Sequence, residues 1–226
     1  DNIARAGLIF TNSYVANSIS GPSRACMLTG KHSHKNGFRN NSDSFDGSQQ
    51  TMPKLLQQVG YQTAMIGKWH LQSDPTGFDY WNVLTGQGLY HDPVFIEMGE
   101  RKKITGYATD IITDVSIDFL KNRPKDKPFF LMTHHKAPHR EWSPDAKHAA
   151  LFADKTIPEP ATLNDDYATR ADAARTAIMR VERDLTRGDL KRPPPPGLRG
   201  TNLTEWKRGT DSELEVVEDG QTNKLS

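Results

Sequence analysis

Two patterns near the middle of this chain constrain its fold more than anything else in it. Ala108, Ile111, Ile112, Val115 and Phe119 recur at i, i+3, i+4, i+7 and i+11, the period of a helix with one core-facing side. Behind Lys127-Pro128 comes an unbroken apolar run, Phe129-Phe130-Leu131-Met132. Such a run predicts a strand covered on both faces, as in a parallel sheet. Residues 62–66 predict an earlier strand, so the order reads strand, loop, helix, strand, loop. That order predicts an α/β fold with a mostly parallel central sheet. Open sheets of this kind hold their ligands beyond the C-terminal ends of the strands. Gly67-Lys68-Trp69-His70 and His134-His135-Lys136-Ala137-Pro138-His139 fall at those two ends.

The remaining elements are placed by local signals. Residues 7–10, with Tyr14 and Val15, predict a short strand running toward Ser20. Ser20-Gly21-Pro22 starts a turn, and Ser23 is set to cap a helix beginning near Arg24. Residues 31–50 are polar and read as a loop. Residues 51–59 predict a short helix, with Thr51 at its N-cap, Pro53 in its first turn and Gly60 at its end. Residues 77–100 are aromatic and loop-like, with room for short edge strands. Beyond residue 163 the composition changes. Residues 164–192 are rich in charge and alanine and predict a solvated helix. Pro193 to Pro196 require an extended segment. Residues 211–226 are polar and predict disorder. The chain therefore divides into a domain at 1–163 and a charged, proline-containing, largely irregular segment at 164–226.

Composition narrows the classes. The 226 residues suffice for one large domain or two small ones. A net charge of +1 gives no argument for a nucleic-acid or membrane-surface partner. With 35% hydrophobic residues and a mean hydropathy of -0.70, no run is long and apolar enough to span a bilayer. Residues 1–5 lack the basic start and apolar stretch of a signal peptide. Cys26 is the only cysteine, so no internal disulfide forms. It reads as a small core residue early in a helix rather than a nucleophile.

The string Ser20-Gly21-Pro22-Ser23-Arg24-Ala25-Cys26-Met27-Leu28-Thr29-Gly30 resembles the signature of type I sulfatases. The resemblance continues through Lys31-His32-Ser33-His34-Lys35-Asn36-Gly37, Gly67-Lys68-Trp69-His70-Leu71 and the histidine motif ending at His139. It covers residues 3–166. The wording is most similar to the N-acetylglucosamine-6-sulfatase branch of gut bacteria that degrade host glycans, alongside arylsulfatase-like enzymes. It implies an alkaline-phosphatase-like sandwich, here incomplete at both ends. The implied activity is removal of sulfate from a carbohydrate, the 6-O-sulfate of N-acetylglucosamine in mucin or glycosaminoglycan.

By this resemblance Ser20 is the residue oxidised to Cα-formylglycine, whose hydrated diol attacks sulfur and later expels sulfate. Arg24 would position the diol, Lys68 would contact a sulfate oxygen, and His70 would hydrogen-bond the diol. His139 would bind sulfate or donate the proton to the leaving alcohol. His135, Lys136 and His34 are candidate substrate contacts, with His32 and His34 open between loop surface and substrate cleft. Asp92 and Arg140 lie near the motifs without an assigned role. Read from residues alone, Ser20 to Ser23 is an ordinary turn, Lys68 to His70 a strand edge, and the three histidines at 134, 135 and 139 a zinc candidate. No cysteine or carboxylate completes such a zinc set.

The resemblance also implies calcium, with Ser20 as a ligand in its formylglycine form. The family's paired aspartates near the start, its downstream Asp-Asn or Asp-Gln and its second lysine have no match here, and Asp165-Asp166 is not assigned to metal. The expectation is a partial catalytic domain, inactive alone, from a protein that is periplasmic or secreted when complete. Its implied partners are a sulfated carbohydrate and a formylglycine-generating enzyme. Two other readings stay open: a phosphatase or phosphonate hydrolase of the same fold, and a non-catalytic remnant that binds sulfated glycan.

Overall fold

Residues 62–68 are the first extended stretch that is almost wholly buried. In the computed structural model, which describes residues 2–163, 165–177, 184–209, 215–218 and 221–224, they form strand β1 (Gln62–Lys68). All but its first residue are buried. The pleat sends Ala64 and Ile66 to one side and Met65 to the other. On the first side they meet Ile112 and Phe119 of α5 (Ala108–Asn122), together with Leu84 and Phe95. On the second, Met65 packs with Ala25 and Leu28 of α2 (Ser20–Thr29), and with Phe38, Phe45, Trp69, Phe78 and Trp81. A sheet with helices on both faces is the result. Each fully buried large side chain contributes about 1.5–3 kcal/mol relative to exposure.

The sheet has the order β4 (Glu100–Lys103), β3 (Val94–Glu97), β2 (Tyr80–Leu84), β1, β5 (Phe129–His134). β1 pairs in parallel with β2 on one side and with β5 on the other. β3 and β4 extend it as an antiparallel hairpin. The predicted helix over the 108–119 pattern is present, with Ala108, Ile112, Ser116 and Phe119 buried. Helix α4 (Met52–Gln58) follows Thr51 with a proline in its first turn, and Gly60 takes a left-handed φ of 88° behind it.

Several expectations are corrected. Residues 7–10 form no strand. A short helix α1 (Asn2–Ala6) precedes them, and Leu8, Ile9, Phe10, Tyr14 and Val15 are exposed, since no neighbouring strand among the described residues offers them a ladder. Helix α2 starts at Ser20, with Ile19 rather than Ser23 at its N-cap, because Ile19 O already accepts from Ser23 N–H at 2.9 Å. The loop over 31–50 contains a helical turn, α3 (Ser33–Asn36). β2 is an interior strand, not an edge. Its rings at Tyr80 and Trp81 point to opposite core clusters, and the buried Asn82 breaks the apolar pattern that would have announced it. β5 is half-buried rather than covered on both faces; among the described residues it forms one edge of the sheet.

The chain divides into two units, Asp1–Pro138 and His139–Ser226. In the second, Arg140 pairs with the buried Asp189, which also accepts from Thr186. Arg187 lies over the ring of Trp206 in helix α7 (Gly200–Arg208). Residues 164–192 do not form one long helix. A single turn, α6 (Asp172–Arg175), stands among the described residues, and 164 and 178–183 lie outside them. Pro193 to Pro195 carry neither helix nor strand. In place of disorder over 211–226, β6 (Glu215–Glu218) and β7 (Gln221–Lys224) pair as antiparallel strands. The rest of that stretch lies outside the described residues.

Candidate active site

Helix α2 brings Ser20 to the ends of β1 and β5. Its first turn packs on Phe38 so closely that a β-carbon at Gly21 would sit 2.6 Å from that ring. Gly21 N–H donates to Asn41 Oδ1 at 2.9 Å, which satisfies one free amide of the helix start. Ser20 Oγ then lies 3.0 Å from His70 Nδ1. His70 is buried and sits just past β1 at a left-handed φ of 56°. A non-glycine residue held there stores about 1–3 kcal/mol of strain, of the kind that clusters at working sites.

One turn along α2, Arg24 Nη1 donates to Lys68 O at 2.7 Å and to His134 Nδ1 at 2.9 Å. An arginine can only donate, so His134 Nδ1 accepts from it in the tautomer with the ring proton on Nε2; the same Nδ1 lies 3.3 Å from Lys68 O, to which it donates only in the other form. Burial and then the Arg24 charge push the His134 pKa down to about 4, so the ring is neutral near pH 7. Burial also lowers Arg24, whose Nε is buried without a hydrogen-bond partner. Lys68 is buried, and its Nζ donates to Gln87 Oε1 at 2.6 Å. Burial, then Arg24 and Lys136, hold its pKa down to about 8. Gly67 allows these strand ends to meet: a β-carbon there would fall 2.0 Å from His134 O, and its φ is 97°.

Of the residues singled out in the sequence, Ser20, Arg24, Lys68 and His70 converge. Lys136 joins them through Gln87, whose backbone O accepts from Lys136 Nζ at 3.3 Å, and it also lies 4.8 Å above the Tyr90 ring. His135 is half-buried, with Nδ1 buried and unpartnered. His34 is exposed on α3, its ring stacked on His32 at 5.9 Å. His139 opens the second unit, its Nδ1 2.6 Å from Arg140 O. Asp92 accepts from Gly106 N–H, Arg140 is paired with Asp189, and Asp165 with Arg170. Cys26 lies partly buried in α2 against Ser33 and Asn36. Sequence reasoning missed Gln87, Asn41, Tyr90 and the role of His134 as acceptor for Arg24. The one available signal was the Gly86-Gln87-Gly88 turn behind β2.

A recess of about 270 Å³ opens beside His70, lined in part by Gln72, Asp74, Thr85 and Arg101. A larger hollow of about 490 Å³ lies near the starts of β1 and β2, at Gln62 and Tyr80, and contains none of the motif residues. Chemically, the Ser20 hydroxyl bonds His70, and the cations Arg24 and Lys68 share the same strand end, an arrangement suited to an oxyanion. Among the described residues no three His, Cys, Asp or Glu side chains gather as a metal site. Calcium takes about six to eight oxygen ligands. The His70 nitrogen against Ser20 Oγ is not such a ligand.

A family model described as Sulfatase matches residues 1–187. An N-acetylglucosamine-6-O-sulfatase of Bacteroides thetaiotaomicron is 57% identical over 195 residues, covering 84% of this chain and 35% of that protein. The human N-acetylglucosamine-6-sulfatase is 30% identical over 187 residues, with 72% and 34% covered. A solved structure described as a complex with its substrate D-glucosamine-2-N,6-O-disulfate superposes with a TM-score of 0.70 at 57% identity, over 78% of this chain and 35% of that one. The α/β architecture is thus that of alkaline-phosphatase-like neighbours. The chain spans about a third of the length of these two curated relatives.

Proposed function

This chain belongs to the sulfatase family, and from that premise we propose that the protein carrying it is a sulfuric ester hydrolase. Its substrate in this reading is the 6-O-sulfate of N-acetylglucosamine in a mucin or glycosaminoglycan chain. The observation that carries the reading is the placement of Ser20 Oγ, at the start of α2 and 3.0 Å from His70, on a strand end shared with Arg24 and Lys68. The relatives' substrates support the choice of sugar.

In the family the residue at the Ser20 position becomes Cα-formylglycine, which supplies the nucleophilic hydroxyl. The neighbourhood fits that group: it is small, half-buried and bonded to His70. His70 orients the attacking oxygen through Nδ1. Lys68, near the positive end of the α2 dipole, holds the sulfate oxygens. Arg24 locks the strand ends by bonding Lys68 O and His134, which fixes the ammonium of Lys68 relative to Ser20. His139 is assigned the proton for the leaving alcohol, and His135, Lys136 and His34 the sugar. Calcium, implied by the family, would take oxygen ligands that the side chains at Ser20 do not supply.

The reading implies a formylglycine-generating enzyme as a partner and a periplasmic or secreted protein. No helix among the described residues is long and apolar enough to cross a membrane. The test is sulfate release from 6-O-sulfated N-acetylglucosamine by the longer enzyme, with mass spectrometry of the Ser20 peptide. Loss of two hydrogens from that peptide, turnover, and loss of turnover in Ser20→Ala are expected. Lys68→Ala is expected to cost about 10²–10³ in kcat. Faster turnover of the phosphate ester would favour a phosphatase, and binding without turnover a glycan-binding protein. The 226-residue chain alone is expected to release no sulfate.

A further inference from the structure

Gln87 lies in a turn that none of the motifs includes. It follows β2 between Gly86 and Gly88, which have φ of 53° and 71°. Gly88 N–H donates to Thr85 O at 2.9 Å, and a β-carbon at position 88 would fall 2.7 Å from Leu84 Cδ1. The turn is therefore pressed against the end of β2 and cannot easily drift. From it Gln87 offers two acceptors in different directions. Its side-chain Oε1 accepts a hydrogen bond from Lys68 Nζ at 2.6 Å, and its backbone O accepts one from Lys136 Nζ at 3.3 Å. The amide orientation follows from the donor, because an ammonium presents only protons.

We propose that Gln87 is a positioning residue of the oxyanion site, aiming Lys68 through its amide carbonyl and Lys136 through its backbone carbonyl toward one bound sulfate group. The inference rests on the sulfatase reading for the identity of that group. Two buried ammoniums repel each other, and each needs an acceptor once removed from water. The groups facing Lys68 are the cation Arg24 from α2, Lys136 beyond β5, the neutral His134 of β5, and His70 two residues along its own strand end. A neutral amide orients an ammonium among these cations without cancelling its charge. A carboxylate in its place would compete with sulfate for the same two lysines.

The experiment is carbon-13 NMR of ε-labelled lysine in the 226-residue chain, comparing wild type, Gln87→Met and Gln87→Glu. Loss of a hydrogen bond to a charged donor should lower the Lys68 titration midpoint by about one pH unit in Gln87→Met. The carboxylate of Gln87→Glu should raise it, and the opposite signs exclude a merely structural effect. Lys136, bonded to the unchanged backbone carbonyl, should move little in Gln87→Met. Inorganic sulfate, added as probe and followed on the same signals, should bind roughly tenfold more weakly to both variants. An unmoved Lys68 midpoint, or wild-type sulfate affinity in both variants, overturns the proposal. Turnover by the longer enzyme is read separately. Its absence beside the expected lysine shifts would reject the sulfatase function and leave the role of Gln87 intact.

Discussion

Two stretches of this chain are similarly apolar and end differently. Ala64, Met65 and Ile66 are fully buried in β1, whereas Leu8, Ile9 and Phe10 are 82%, 71% and 78% exposed and form no strand. Local propensity does not separate them, since both contain strand-favouring residues. Partners do. β1 has β2 on one side, β5 on the other and a core cluster on each face. A strand is thus a property of its neighbours, and the candidate site is built where those neighbours are most complete.

That contrast can be attacked from either end. The harshest test is Gly67→Val, which sets a β-carbon 2.0 Å from a backbone oxygen of β5 at a φ of 97°. A loss of more than about 4 kcal/mol, or no folded chain, is expected in urea melts. A mild effect would mean that β1 and β5 are not so tightly joined. Phe38→Ala should cost about 3–5 kcal/mol and should also loosen Ser20, because that ring supports Gly21. Retained stability would place the core elsewhere.

A smaller effect comes from acid. His134 titrates near 4 when folded against an ordinary 6.5. Between those values the unfolded chain holds the extra proton, so stability is fully present above about pH 6.5 and is lost as pH falls toward 4. His134→Gln should flatten that slope in urea midpoints taken across the range, and an unchanged slope would assign the acid sensitivity to other groups. Lys68 gives a separate slope at alkaline pH. Its lowered value means that stability rises with pH between about 8 and 10.5. Smallest of all, Phe10→Ser should change the stability of this chain by less than about 0.5 kcal/mol. A larger loss would show that residues 8–15 have partners after all.

Much of this was written in the sequence, for identifiable reasons. The helix over residues 108–119 announced itself by period, the strand expected at 62–66 is present, and the motif residues Ser20, Arg24, Lys68 and His70 do converge. What escaped was whatever depended on tertiary surroundings. Asn82 hid β2 because a polar residue is buried there, and Phe129 lacks its expected cover on β5, which among the described residues lies at a sheet edge. Ser23 looked like a cap until the carbonyl of Ile19 took its amide. Gln87 carries no chemistry of its own that a pattern could flag. Its importance arises only from the two ammoniums that reach it.

The bond between Arg24 and His134 joins residues 110 apart in the chain, while Thr63 and Asp79, which tie β1 to β2, are 16 apart. Closing the longer loop costs more entropy and waits on more of the chain. The first two parallel strands can therefore pair soon after they leave the ribosome. Ser20 acquires its full surroundings only when residue 134 has been made and has returned to α2. In this unit, the neighbourhood of Ser20 is finished later than the strand pair it rests on.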